Sequence, residues 1–150
     1  MCIRDSSYTL LSEIASEEGD FSKANSYADS TIYYSTQFDS PRLESEAHLS
    51  KYHILKSLGQ TYEQQYHIKK SFAAALNSNH NQSILDAAAA YADYESSQSR
   101  FKSGFAYQSI ADSLRKEIFS EELTTQLDDL EKRILLQKSQ EEIDLSLIHI

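Results

Sequence analysis

The sequence predicts an all-α protein, and three observations carry the prediction. Gly and Pro together supply only four of 150 residues, too few for the repeated tight turns of a β-rich fold. Val is absent, whereas Ala, Leu, Glu, Lys, Gln and Ser dominate. Apolar residues recur at three- and four-residue intervals in segments separated by recognisable stop and start signals.

The elements follow in order. Ser7–Glu18 carries Tyr8, Leu11, Ile14 and Ala15 at helical spacing and stops at Gly19, a residue suited to the left-handed end of a helix. Asp20 then caps a second helix with Phe21, Ala24, Ala28 and Thr31 on one stripe, running to about Gln37. Ser40-Pro41 restarts the chain, because Pro is pre-set for the first helical position. The third helix, Pro41–Leu58, carries Leu43, Ala47, Ile54, Leu55 and Leu58 and ends at Gly59. A fourth is expected from about Thr61 to Asn77, with Tyr62, Tyr66, Phe72 and Leu76. The polar loop NSNHNQS separates it from a fifth, Ile84–Ser97, and a sixth begins near Arg100 with Phe101, Phe105, Ala111 and Leu114.

Sliding the chain by 40 residues superimposes Gly19, Gly59 and Ser99 at the turns. The same shift aligns Ala24, Gln64 and Gly104, then Tyr27, His67 and Tyr107, then Thr31, Ser71 and Ala111. Small residues thus recur where paired helices must approach closely. Gly104, which costs about 1 kcal/mol relative to Ala inside a helix, fits such a close approach. The pattern predicts three antiparallel helical hairpins stacked as an α-solenoid with a period of about 40, followed by a long C-terminal helix.

These motifs resemble tetratricopeptide repeats. The resemblance rests on Y-x2-L-x2-I-A-x3-G-D-F-x2-A in the first copy, L-G-Q-T-Y at the second turn and Y-x6-F-x2-G-x2-Y in the third. The period exceeds that family's usual 34, so longer helices are expected, and the middle copy departs with Gln64 where a small residue is usual. Carrying the repeat register over, the first helices would line a concave face. That face would present Thr9, Glu13 and Ser16 from the first, Leu49, His53 and Lys56 from the second, and Asp86, Ala89 and Asp93 from the third. A protein or peptide is the expected partner; a merely solvated face is the alternative.

From Leu114 to Asp144 the chain lacks Gly and Pro and is densely charged. Leu123, Leu127, Leu130 and Ile134 follow a 4-3-4 spacing, a short heptad seam that decays at Gln137 and Glu141. It is read either as a solvated helix capping the last repeat or as a coiled coil forming a homodimer. Asp112-Ser113-Leu114 and Asp129-Leu130-Glu131-Lys132 resemble the junction in bacterial sensor proteins, typical of Bacteroidetes, where periplasmic tetratricopeptide repeats lead through a charged helix to a membrane helix. A histidine kinase or helix-turn-helix output domain follows there. The resemblance implies a sensory and signalling segment on the periplasmic side of a membrane; a stand-alone scaffold with a dimerising helix, cytoplasmic, is the alternative.

The ends carry a separate signal. MCIRDS can be encoded ATG TGT ATA AGA GAC AG, whose reverse complement, CTG TCT CTT ATA CAC AT, encodes LSLIHI. The two termini read as one DNA sequence and its complement, resembling a transposase-library adapter. Residues 1–6 and 145–150 are therefore expected to be adapter-derived, with repeats over 7–114 and the charged helix over 115–144. Met1 and Cys2, the only Met and Cys, fall in that segment, so cysteine chemistry is not expected.

Composition and motifs exclude other classes. A net charge of -9 opposes nucleic-acid binding, which needs clustered Lys and Arg. No apolar run of about 18 residues is present. His48 and His53 stand five apart, an unsuitable spacing for metal ligands on one helix face, and no HExxH motif occurs. Glu17-Glu18, Glu121-Glu122, Asp128-Asp129 and Glu141-Glu142 lie in polar segments without the desolvation that general acid–base work requires. No catalytic residue, cofactor or metal is expected.

Overall fold

The computed structural model describes residues 3–148, with side chains from residue 7. Met1, Cys2, His149 and Ile150, within the expected adapter-derived ends, lie outside the described residues. Those described form six helices and no strand: α1 (Ile3–Glu17), α2 (Phe21–Gln37), α3 (Pro41–Ser57), α4 (Gln64–Ser78), α5 (Asn81–Ser97) and α6 (Phe101–Ile148). The chain divides into two compact units, Met1–Leu114 and Arg115–Ile150. α6 begins in the first unit and supplies the second.

In the first unit the backbone turns at a regular interval. Gly19, Asp39, Gly59, Asn79 and Ser99, each twenty residues after the last, all adopt positive φ. Four of these turns share one hydrogen-bond pattern. The N–H of the left-handed residue bonds three residues back and the next N–H five back, as in Gly19 N to Ser16 O and Asp20 N to Ala15 O. This Schellman arrangement satisfies helix-end carbonyls that would otherwise be orphaned. Asp20 also caps α2 through its Oδ1, which accepts from Lys23 N at 3.2 Å. Ser40 precedes Pro41 as expected but makes no side-chain capping bond.

Three helix starts differ from the sequence reading, the first being α1, which begins at Ile3 and not Ser7. α4 starts at Gln64, not Thr61: Thr61 is irregular, Tyr62 and Glu63 form a turn, and Glu63 sits near φ 1°. The side chain of Gln64 folds back, donating from Nε2 to Gln60 O at 2.7 Å. α5 starts three residues early, because His80 caps it: Nδ1 accepts from Ser83 N at 3.3 Å.

Each helix packs on its sequence neighbour through α5, and α1, α3 and α5 also touch in series. Close approach follows from small residues. Ala24, Ala28, Ala75, Ala87, Ala88 and Ala111 are buried to 1% exposure or less. Ser12 Oγ donates to Ala24 O at 2.9 Å, and Ser45 and Ser71 each donate to the other's carbonyl at 2.9 Å. Gly104 lets α6 lie against α5: a Cβ there would stand 2.7 Å from Ser96 Oγ. Larger side chains fill the remainder, in one cluster around Tyr52, Ile68, Tyr91 and Tyr94 and another around Ala15, Ala28 and Ile54.

Several residues of the expected apolar stripes lie outside the core. Leu11, Ile14, Leu58, Tyr62, Tyr66, Leu76, Phe101 and Phe105 are exposed. In α1 the buried pair is Ser12 and Ala15, since α1 meets α2 and α3 on that side and no described helix covers the other. Phe21 packs against the cluster containing Ile54 of the following pair, whereas Phe101, its counterpart 80 residues on, is exposed.

In the second unit every residue from Arg115 to Ile148 is exposed except the half-buried Ile118. The seam residues Leu123, Leu127, Leu130 and Ile134 are all 45–53% exposed.

Candidate binding groove

α1, α3 and α5 contact one another in series, so their helical repeats bring one face of each to a common surface. A groove of about 550 Å³ runs there. α1 contributes Ser12, Glu13, Ser16 and Glu17; α3 contributes Glu46, Leu49, Ser50 and His53; α5 contributes Asp86. Ser12 is locked at the floor by its bond to Ala24 O. Leu49 is half-buried and packs on the Tyr52–Ile68 cluster, giving the groove an apolar spot with a fixed base.

Five of the nine expected face residues line this groove: Glu13, Ser16, Leu49, His53 and Asp86. The other four do not. Thr9 is half-buried one turn earlier on α1, Lys56 is exposed one turn later on α3, and Ala89 is half-buried on α5. Asp93 opens on a smaller depression of about 250 Å³ beside Gly104 and Phe105. The sequence reading missed Ser12, Glu17, Glu46 and Ser50. Each lies beside a named residue on the same helix face, so a wider stripe would have included them.

The groove is acidic. Glu13, Glu17, Glu46 and Asp86 line it, and among the described residues no Lys or Arg does. Two of the carboxylates are held in place: Arg42 Nε donates to Glu46 Oε1 at 3.2 Å, and Gln82 Nε2 donates to Asp86 Oδ1 at 2.9 Å. Desolvation by the surrounding helices lowers the His53 pKa, Lys56 adds to this, and Asp93 opposes it. His53 is therefore a neutral donor–acceptor at pH 7.

A second depression, of about 740 Å³, lies around the α3–α4 turn, with Lys51, Tyr62, Tyr66, His67 and Tyr94 among its walls. Behind it, His48 and His67 face each other with Nδ1 atoms 2.9 Å apart, at 4% and 6% exposure. Lys51, itself buried, is ion-paired with Asp29 of α2. One signal pointed to the histidine pair: His67 occupies the repeat position held by Tyr27 and Tyr107. Burial lowers the His48 pKa from 6.5 to about 4, helped by His67, Lys70 and Lys51. Burial and Lys51 lower that of His67, while Glu63 and Asp29 pull the other way.

No group of three or more His, Cys, Asp or Glu side chains among the described residues is arranged to hold a metal ion. None of the described helices is long and apolar enough to cross a membrane. Set against protein-family models, curated proteins and solved structures, the chain matches none.

Proposed function

We propose that this chain is a non-catalytic interaction module: three tetratricopeptide-like hairpins forming a short solenoid that binds a peptide in the α1/α3/α5 groove. The observation that carries the reading is the convergence of Glu13, Leu49, His53 and Asp86, from three different helices, on one open cleft. Four carboxylates around an apolar spot favour an extended peptide bearing Lys or Arg beside an aliphatic residue. Mixed polar lining without a desolvated acid–base pair suits recognition rather than chemistry.

The wider role follows from the resemblance at Asp112-Ser113-Leu114 and Asp129-Leu130-Glu131-Lys132. In this reading the module senses a partner for a bacterial signal-transduction protein, and α6 carries the response. α6 enters the first unit's core through Gly104, Tyr107 and Ala111, so a ligand that shifts α3 or α5 also biases the start of α6. The gene downstream of the Asp144 codon tests this role. A run of about 20 apolar residues followed by output-domain motifs supports the sensor; a prompt stop codon supports the stand-alone scaffold instead.

Selection from a phage-displayed random 12-residue peptide library tests the groove. Enriched peptides should be basic, and Glu13→Gln with Asp86→Asn should weaken them about tenfold or more, measured by fluorescence anisotropy. Binding that survives both changes, or is abolished only by changes elsewhere, refutes the groove.

A further inference from the structure

The exposed seam of the second unit prescribes its own partner. Leu123, Leu127, Leu130 and Ile134 occupy alternating d and a positions of a heptad. Extending that frame puts Lys116 and Ser120 before the seam, Gln137 and Glu141 after it, and Glu117 and Lys138 at flanking e positions. None of these side chains is covered by the chain itself.

A parallel, in-register pair of such helices is frustrated at both ends. Lys116 would meet Lys116 of the second copy, Glu141 would meet Glu141, and Arg133 at g would meet Lys138 at e. Reversing one helix removes every one of these conflicts. Leu127 then faces Leu130 of the second copy and Leu123 faces Ile134, so all four apolar layers are kept. In that one register Ser120 meets Gln137, Lys116 meets Glu141, and Glu117 meets Lys138. The two-fold axis repeats each pair, giving four opposite-charge contacts and two polar ones around the apolar centre.

We infer that residues 116–141 form an antiparallel homodimeric coiled coil centred between Leu127 and Leu130. The register is fixed at its ends by charge. The apolar seam alone would accept either orientation, and the flanking charges exclude one. This inference rests on the second unit alone and is independent of any ligand in the groove. Because an antiparallel pair sends its two C-terminal ends in opposite directions, it fits the stand-alone scaffold reading and not a helix that leads both copies into one membrane.

Sedimentation equilibrium of the full chain should show the mass rising with concentration from 17.1 kDa to twice that value. Lys116→Glu should weaken the dimer about tenfold, by replacing two opposite-charge contacts with two like-charge ones. Adding Glu141→Lys should restore it, because the swapped charges again oppose; in a parallel dimer the double change restores nothing. Orientation is read directly by disulfide trapping in a Cys2→Ser background, Cys2 being the only cysteine. Ser120→Cys protein should not link to itself, since the two copies of that position lie about 25 Å apart across the antiparallel pair. Mixed with Gln137→Cys protein, it should give a linked heterodimer. Circular dichroism checks that each variant keeps its helix. A monomer at all concentrations, a trimer or tetramer, or self-linking of Ser120→Cys overturns the inference.

Discussion

The buried histidine pair makes stability depend on pH in a window where few other side chains titrate. His48 and His67 are brought together by Ser45 and Ser71, one turn away on the same faces of α3 and α4, whose reciprocal backbone bonds hold the two helices close. A 2.9 Å contact between two Nδ1 atoms needs one donor and one acceptor, so the pair is satisfied when both rings are neutral. The remaining nitrogen of His67, Nε2, faces the Glu63 carboxylate at 3.8 Å, which favours Nε2–H on that ring and Nδ1–H on His48. The charged groups around the pair are Lys51 and Lys70, which oppose protonation, and Glu63 and Asp29, which favour it at His67.

A His whose folded pKa is depressed binds its proton more readily in the unfolded chain. Its contribution is therefore fully present above pH 6.5 and is lost as pH falls toward the folded value. For His48, the gap from 6.5 to about 4 amounts to about 3 kcal/mol at 1.36 kcal/mol per pH unit, of which about 2 kcal/mol is lost between pH 7 and pH 5. With a urea m-value of about 2 kcal/mol/M, the unfolding midpoint should drop by about 1 M over that interval. His48→Gln keeps a donor toward His67 and removes the more strongly perturbed of the two rings, so its midpoint should change less. Urea titrations of both proteins at pH 7, 6 and 5 decide. Equal losses in wild type and variant would refute the reasoning, because they would place the titration elsewhere.

Two further outcomes follow from backbone geometry. Gly104→Ala should destabilise by about 1–2 kcal/mol despite its better helix propensity, since the new Cβ meets Ser96 Oγ at 2.7 Å and Ala92 O at 3.3 Å; adding Ser96→Ala should recover part of the loss in the same urea assay. Ser99→Gly should raise the melting temperature, because Ser99 holds φ 59° at a left-handed cost of about 1 kcal/mol that glycine avoids.

The turns were the most legible part of the chain, because their chemistry is local. Gly19 and Gly59 announce left-handed helix ends, and Ser40-Pro41 announces a restart. Asp39 and Asn79 tolerate the same geometry less visibly, and Ser99 does so against its preference. The groove was half legible. The repeat register carried over from the resemblance named Glu13, Ser16, Leu49, His53 and Asp86, which line the cleft, but the extent of the cleft depends on how α1, α3 and α5 are rotated, which no single helix encodes. Exposed Leu11, Ile14 and Phe101 show the same limit: periodicity finds an apolar stripe, and only a neighbouring helix makes it core. The histidine pair was the least legible, since it joins residues 19 apart on different helices.

One architectural slot explains why that pair can vary while the fold persists. A shift of 40 residues carries Tyr8–Tyr27 onto His48–His67 and then onto Ala88 and Tyr107. The first two are ring contacts, at 6.2 Å and 5.2 Å between centroids. In the third, Ala88 leaves room and Tyr107 lies instead on Tyr91, 4.0 Å away. The slot requires bulk between paired helices, and it does not require a titratable group. In the proposed groove, packing and recognition are separable at Glu13 and Asp86 but not at Leu49 or at Ser12, which lines the floor while bonding Ala24 O. Glu13 and Asp86 line the groove without being buried, so changing them reads binding alone. Leu49 both lines the groove and packs on the Tyr52–Ile68 cluster, so a loss of binding on changing Leu49 has to be weighed against a loss of stability measured on the same protein.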